Sequence, residues 1–119
     1  MANELTIGAS LKFSKGGVEA DVRGTGIQLD VAGSKKTELT QTVGTAEEPL
    51  LLGDIAAPGY CLMKNLSSVN PVHIRPGTGE NNLITVRAGG IALFQLAATA
   101  PYIIADTAAV DVELTIIEA

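Results

Sequence analysis

Aromatic side chains make up only 3% of the 119 residues, with no Trp, two Tyr and two Phe. That scarcity argues against a single-stranded nucleic-acid platform, which stacks bases on rings, and against a sugar-binding face built on exposed Trp or Tyr. The core must instead be packed from Val, Ile, Leu and Ala. Cys61 is the one cysteine, so no intrachain disulfide is possible. It sits in Tyr60-Cys61-Leu62-Met63, the pattern of a buried strand, and reads as a small core hydrophobe rather than a nucleophile. His73 is the one histidine, next to Arg75 and pointing outward on a strand. A zinc site needs three or four ligands, and no Cys or second His stands at ligand spacing. No stretch approaches 18 apolar residues, which excludes a spanning helix. Met1-Ala2-Asn3-Glu4 has neither the basic region nor the apolar run of a signal peptide, which predicts a chain made and kept in the cytosol or assembled there into something larger. The formal charge of −5 repels phosphate backbones and anionic lipid heads, so neither nucleic acid nor a membrane is expected as partner.

What the chain does have is 46% apolar residues, arranged as short β-branched segments between Gly, Pro and Asn. Leu5, Ile7, Ala9, Leu11 and Phe13 alternate with polar residues. That period of two predicts a strand with one face on a core. Ser14-Lys15-Gly16-Gly17 is a turn signal, and Val18, Ala20 and Val22 alternate again. Gly24-Thr25-Gly26 predicts a break before a third segment through Ile27, Leu29 and Val31, giving a meander. Thr37 to Val43, polar and Thr-rich, suits an exposed edge strand. Leu50-Leu51-Leu52 and Tyr60 to Leu66 read as strands buried on both faces. Leu83–Val86 and Ile91–Leu96 flank Arg87-Ala88-Gly89-Gly90, a hairpin signal. Val110, Val112, Leu114 and Ile116 alternate with Asp111, Glu113 and Thr115 in a last strand. Ala97–Ala100 and Thr107–Ala109 are each long enough for a helical turn only. Nine or ten strands at this spacing predict an all-β fold, an antiparallel β-sandwich of jelly-roll type with short Gly/Pro turns. The length suits one domain, 1–119. Within it Gly44–Pro49 marks the internal boundary, with 49–119 as core sandwich and 1–48 as a possible separate sheet or arm.

Chemistry is sparse along this framework. Gly77-Thr78-Gly79-Glu80-Asn81-Asn82 starts like a dinucleotide loop but lacks the third Gly and the helix that would offer amides to a phosphate, so a flexible loop is expected. Asp111 and Glu113 share a strand face, and the wet face of a terminal strand explains them. Asp54 and Asp106 show no partner carboxylate in the pattern. Glu80, Asn81 and Asn82 are too few for calcium. Asn65-Leu66-Ser67 matches a glycosylation sequon by chance and reads as a strand end followed by a Ser67-Ser68 turn. The expectation is therefore a non-enzymatic chain with no catalytic, cofactor-binding or metal-binding residues and no cofactor.

From Leu52 onward the order of segments carries a resemblance. Leu52-Gly53-Asp54-Ile55 precedes Pro58-Gly59-Tyr60 and the strand ending Lys64-Asn65-Leu66. Then come Val72-His73-Ile74 and the turn before Ile84. Arg87-Ala88-Gly89-Gly90 leads into Leu93-Phe94-Gln95-Leu96, and Tyr102-Ile103-Ile104-Ala105 precedes the last strand. This pattern, over about residues 52–119, resembles small tailed-bacteriophage virion proteins of the capsid decoration, or cement, type. The resemblance implies a β-rich homotrimer, with the major capsid protein as partner. It implies a place on the capsid surface of the virion, after assembly in the host cytoplasm. A minor head-tail or tail component is the alternative within the same class. A soluble glycan-binding or other ligand-binding sandwich is the alternative outside that class, motivated by the loop Pro76–Asn82. Apolar residues on both faces at Leu50–Leu52, Ile103-Ile104 and Ile116-Ile117 would suit subunit contacts or, equally, a sandwich core on both faces.

Overall fold

The computed structural model describes residues 3–97 and 100–119. They form ten strands and no helix, in two compact units, Met1–Ala32 and Gly33–Ala119.

The first unit is a single hairpin. Strands β1 (Leu5–Lys15) and β2 (Val18–Leu29) pair antiparallel and only with each other. Lys15 pairs with Val18, leaving Gly16 and Gly17 as the two turn residues, at φ 58° and 83°. Positive φ at both positions gives the hairpin turn whose twist matches the strands, and Gly adopts it without a steric penalty. The expected break at Gly24-Thr25-Gly26 does not occur. Between the pairs Ile7–Ile27 and Ala9–Gly24, β2 carries one residue more than β1, and Gly26 at φ 64° absorbs the excess as a bulge. Val18 to Leu29 is therefore one strand, and the predicted three-strand meander is a two-strand hairpin. At its open end Asp30 accepts from the Asn3 amide at 3.0 Å and Glu4 from the Val31 amide at 3.1 Å.

The second unit holds β3 (Lys36–Val43), β4 (Glu48–Pro49), β5 (Pro58–Asn65), β6 (Val72–Arg75), β7 (Ile84–Val86), β8 (Ile91–Gln95), β9 (Tyr102–Ala105) and β10 (Val110–Glu118). They make two four-stranded antiparallel sheets, ordered β3-β10-β5-β8 and β4-β9-β6-β7. Every connection crosses from one sheet to the other except β6 to β7. That order is an eight-stranded jelly roll, the fold class expected from the strand pattern. The core lies between the sheets. Val110, Val112, Leu114 and Ile116 of β10 face it with Cys61 and Met63, opposite Val72, Ile74, Val86 and Ile103. Each such side chain contributes about 1.5–3 kcal/mol by leaving water, so the four on β10 together supply about 6–12 kcal/mol.

Several expectations are corrected here. β3 is an edge strand, but it belongs to the Gly33–Ala119 unit, so the division falls at Ala32/Gly33 rather than near residue 48. Its inward residues Thr37, Gln41 and Val43 are buried, which binds it to the sandwich. Leu50-Leu51-Leu52 is a loop, with Leu50 buried and Leu51 48% exposed. Pro49 and the turn at Gly53 leave it no length for a strand. β7 and β8 lie in different sheets, so Arg87–Gly90 carries the chain across the sandwich instead of closing a hairpin. Its turn is held by Gly90 N donating to Arg87 O at 2.8 Å. Residues 107–109 bend without forming a helical turn. In the Ala97–Ala100 segment, residues 98 and 99 lie outside the described residues.

Candidate functional site

The outward row of β6 collects the densest polar contacts. His73 pairs in register with Thr85 on β7 and with Ile104 on β9. Its Nδ1 lies 2.9 Å from Thr85 Oγ1 and its Nε2 lies 2.8 Å from Asp106 Oδ1. Carboxylate, imidazole and hydroxyl in that order form the sequence of groups that activates a hydroxyl nucleophile. Here strand register sets His73 beside Thr85, and the turn after β9 delivers Asp106. The His73 side chain, 14% exposed, is held at both nitrogens, and the contacts tie β6 to β7 and to the turn after β9. Asp106 was visible in the sequence as an isolated carboxylate; only the fold shows its partner.

Two residues along, Arg75 donates through Nη1 to Glu47 Oε2 at 2.9 Å and through Nε to Asn82 Oδ1 at 2.8 Å. Glu47 also accepts from the Thr78 hydroxyl at 2.7 Å and from the Gly79 amide at 3.0 Å. The Thr78 hydroxyl and the Arg75 guanidinium hold the Glu47 carboxyl below the usual carboxylate range. The loop 76–82, expected to be flexible, is thus clamped by a carboxylate of its own chain. Its free amide meets Glu47, in the place an incoming anion would need. Glu47 is a residue that sequence reasoning missed, since nothing in Gly44–Pro49 marks its partner about thirty residues away.

Two buried amides do comparable structural work. Asn65 is 3% exposed. Its Nδ2 donates to Asn70 O and Val86 O at 2.9 and 3.0 Å, and its Oδ1 accepts from Ser67 N at 2.9 Å. The sequon amide is consumed by backbone. Gln41, in the strand expected to be exposed, donates to Glu48 Oε1 and Pro49 O and accepts from the Leu51 amide. Cys61 is fully buried, and burial pushes its thiol up to about 12. Asp111 accepts from the Thr42 hydroxyl at 2.6 Å, and Glu113 pairs with Lys64 at 3.6 Å on the outer face of β10. Asp54 lies exposed in a turn. Among the described residues no three His, Cys, Asp or Glu side chains gather as metal ligands.

The largest departure from expectation is the hairpin. Its strands alternate as predicted, and cross-strand pairing puts the apolar residues on one face: Leu5 with Leu29, Ile7 with Ile27, Leu11 with Val22, Phe13 with Ala20. That face, expected to lie on a core, is open. Leu11 is 67% exposed, Val22 64%, Val18 62%, Phe13 48% and Ile27 43%. The opposite face carries Lys12 across from Asp21, and Arg23 bonded to Asp21 at 3.3 Å, so its charges largely neutralise one another. In the sandwich unit a separate apolar cleft of about 300 Å³ opens where β7 and β8 form the sheet edges, lined by Ile74, Leu83, Phe94, Leu96 and Pro101. With so little polar lining it suits an aliphatic group better than a sugar.

No protein-family model matches the chain, and no curated protein matches it. A solved chain from the disulfide-linked pili of Bacillus endospore appendages is 18% identical, with 77% of this chain and 96% of that chain covered and a TM-score of 0.44. A likeness of that size supports no statement about what this chain does.

Proposed function

We propose that the chain is a non-enzymatic structural subunit of a larger assembly, in the form of a phage capsid decoration protein that binds the outer shell and stabilises it. The observation that supports this reading best is the open apolar face of the hairpin. A contiguous apolar patch of this kind marks an interaction surface, and a two-stranded sheet is marginal in water without cover. The Glu47 carboxylate and the Asn65 amide are engaged within the chain, by Arg75 and Thr78 and by backbone. The segment order from Leu52 onward adds the resemblance to virion proteins.

As a decoration protein the chain acts mechanically. Homo-oligomers seated where capsid subunits meet add burial across joints that internal pressure opens, and many equal contacts raise the resistance to rupture together. The test is binding of purified protein to expanded heads that lack it. Saturable binding at hundreds of copies per head, with a higher head-bursting temperature, is the expected result. A handful of copies would place the protein in the head-tail region or tail, and no binding would remove the virion reading.

A further inference from the structure

We infer that the apolar face of the hairpin is the surface on which two copies of this chain dock, face to face and antiparallel. The inference rests on the reading of the chain as an assembly subunit, and not on the assembly being a capsid. The occupant must be long, narrow and apolar. A second hairpin meets those conditions without further assumption, because an interface about a two-fold axis needs one self-complementary patch, and two sheets stack through their apolar faces about 10 Å apart. The area suffices. Leu11, Phe13, Val18, Val22 and Ile27, open by 43% to 67%, present roughly 100 Å² each. Two faces laid together then bury about 1,000 Å², the total that a specific pair requires. Half-buried Leu5, Ile7 and Leu29 extend the patch toward its open end.

Charge sets the direction. Lys15 is the only ionic residue among the cross-strand pairs of the apolar face, and it sits at the turn. Glu4 and Asp30, one residue beyond Leu5 and Leu29, fall on the opposite face with Lys12 and Asp21, each accepting from a backbone amide. Antiparallel packing lays the Lys15 end of one hairpin over the Leu5–Leu29 end of the other, so the two ammonium groups stand far apart. Parallel packing, in two or three copies, brings the Lys15 ammonium groups together. Leu11 and its partner Val22, midway along the strands, then fall near the two-fold axis.

The experiment uses the full 119-residue chain in analytical ultracentrifugation, with far-UV circular dichroism as the check on folding. The wild-type chain is expected to be a dimer. V22E should raise its dissociation constant about 100-fold or more by placing an unpaired carboxylate in an apolar interface, with the sandwich spectrum retained. L11C should couple two chains under mild oxidation, since Cys61 is buried. K15C should not couple under the mild oxidation used for L11C, because antiparallel packing keeps the two turns apart. A strict monomer, a trimer, an oligomer that V22E leaves intact, or K15C coupling as readily as L11C each overturns the proposal. Head binding is not read here, so failure of the capsid reading and failure of this pairing are separate results.

Discussion

At the scale of single residues, buried polar atoms fix more of this structure than any reactive group. Asn65→Ala leaves the carbonyls of Asn70 and Val86 without their donor. Each buried group so orphaned costs about 1–3 kcal/mol, and a drop of roughly 2–3 kcal/mol in a urea melt is the expected result. Cys61 gives a pH prediction. Its thiol stays neutral in the native chain up to about pH 12, whereas in the unfolded chain it ionises near 8.5. The unfolded state therefore sheds the proton first, and stability is full below that pH and falls as pH rises toward the native value. Cys61→Ala should flatten this alkaline limb in denaturation curves taken at several pH values. Glu47 works in the opposite sense. Its folded carboxyl titrates low, so its contribution is present above the ordinary carboxylate range and is lost as pH falls through the lowered value. Glu47→Gln should speed hydrogen exchange at the Gly79 amide while leaving exchange at core amides unchanged.

At the scale of elements, the alternating strands were the legible part. β10 shows why: Val110, Val112, Leu114 and Ile116 are buried while Asp111 and Glu113 are exposed, so the pattern reports the pleat directly. Leu114→Ala should cost about 2–5 kcal/mol in stability, as cavity-forming changes do in well-packed cores, measured as a shift in the denaturation midpoint. The same alternation in β1 misleads, because period two shows that a face is apolar and not what covers it. Leu11 and Leu114 look alike in sequence, yet one is 67% exposed and the other fully buried. The Leu50–Leu52 run misleads for another reason: with Pro49 before it and Gly53 after it, apolar composition has no strand to occupy. Contacts such as Arg75 with Glu47 or His73 with Asp106 depend on which strands become neighbours, and no local pattern encodes that.

At the scale of the whole molecule, the two units differ in what sustains them. The Gly33–Ala119 unit has its own core, fourteen buried apolar residues among those described, so a chain starting at Gly33 should unfold cooperatively with nearly the full-length midpoint in thermal denaturation. The hairpin has no comparable core, and the isolated segment 3–32 should give a coil-like circular dichroism spectrum. The jelly-roll order has a consequence in time. β10 is inserted between β3 and β5, with Leu114 opposite Leu39 on one side and Met63 on the other. As the chain is made, β3 and β5 emerge first and wait for the strand that joins them. Such long-range pairing is slow. The hairpin, closed by a two-residue turn, forms within microseconds of its own emergence. During synthesis the hairpin therefore forms and reopens many times before the sandwich can close, and the pairing proposed above, if it traps the closed form, would join neighbouring nascent chains before either is finished.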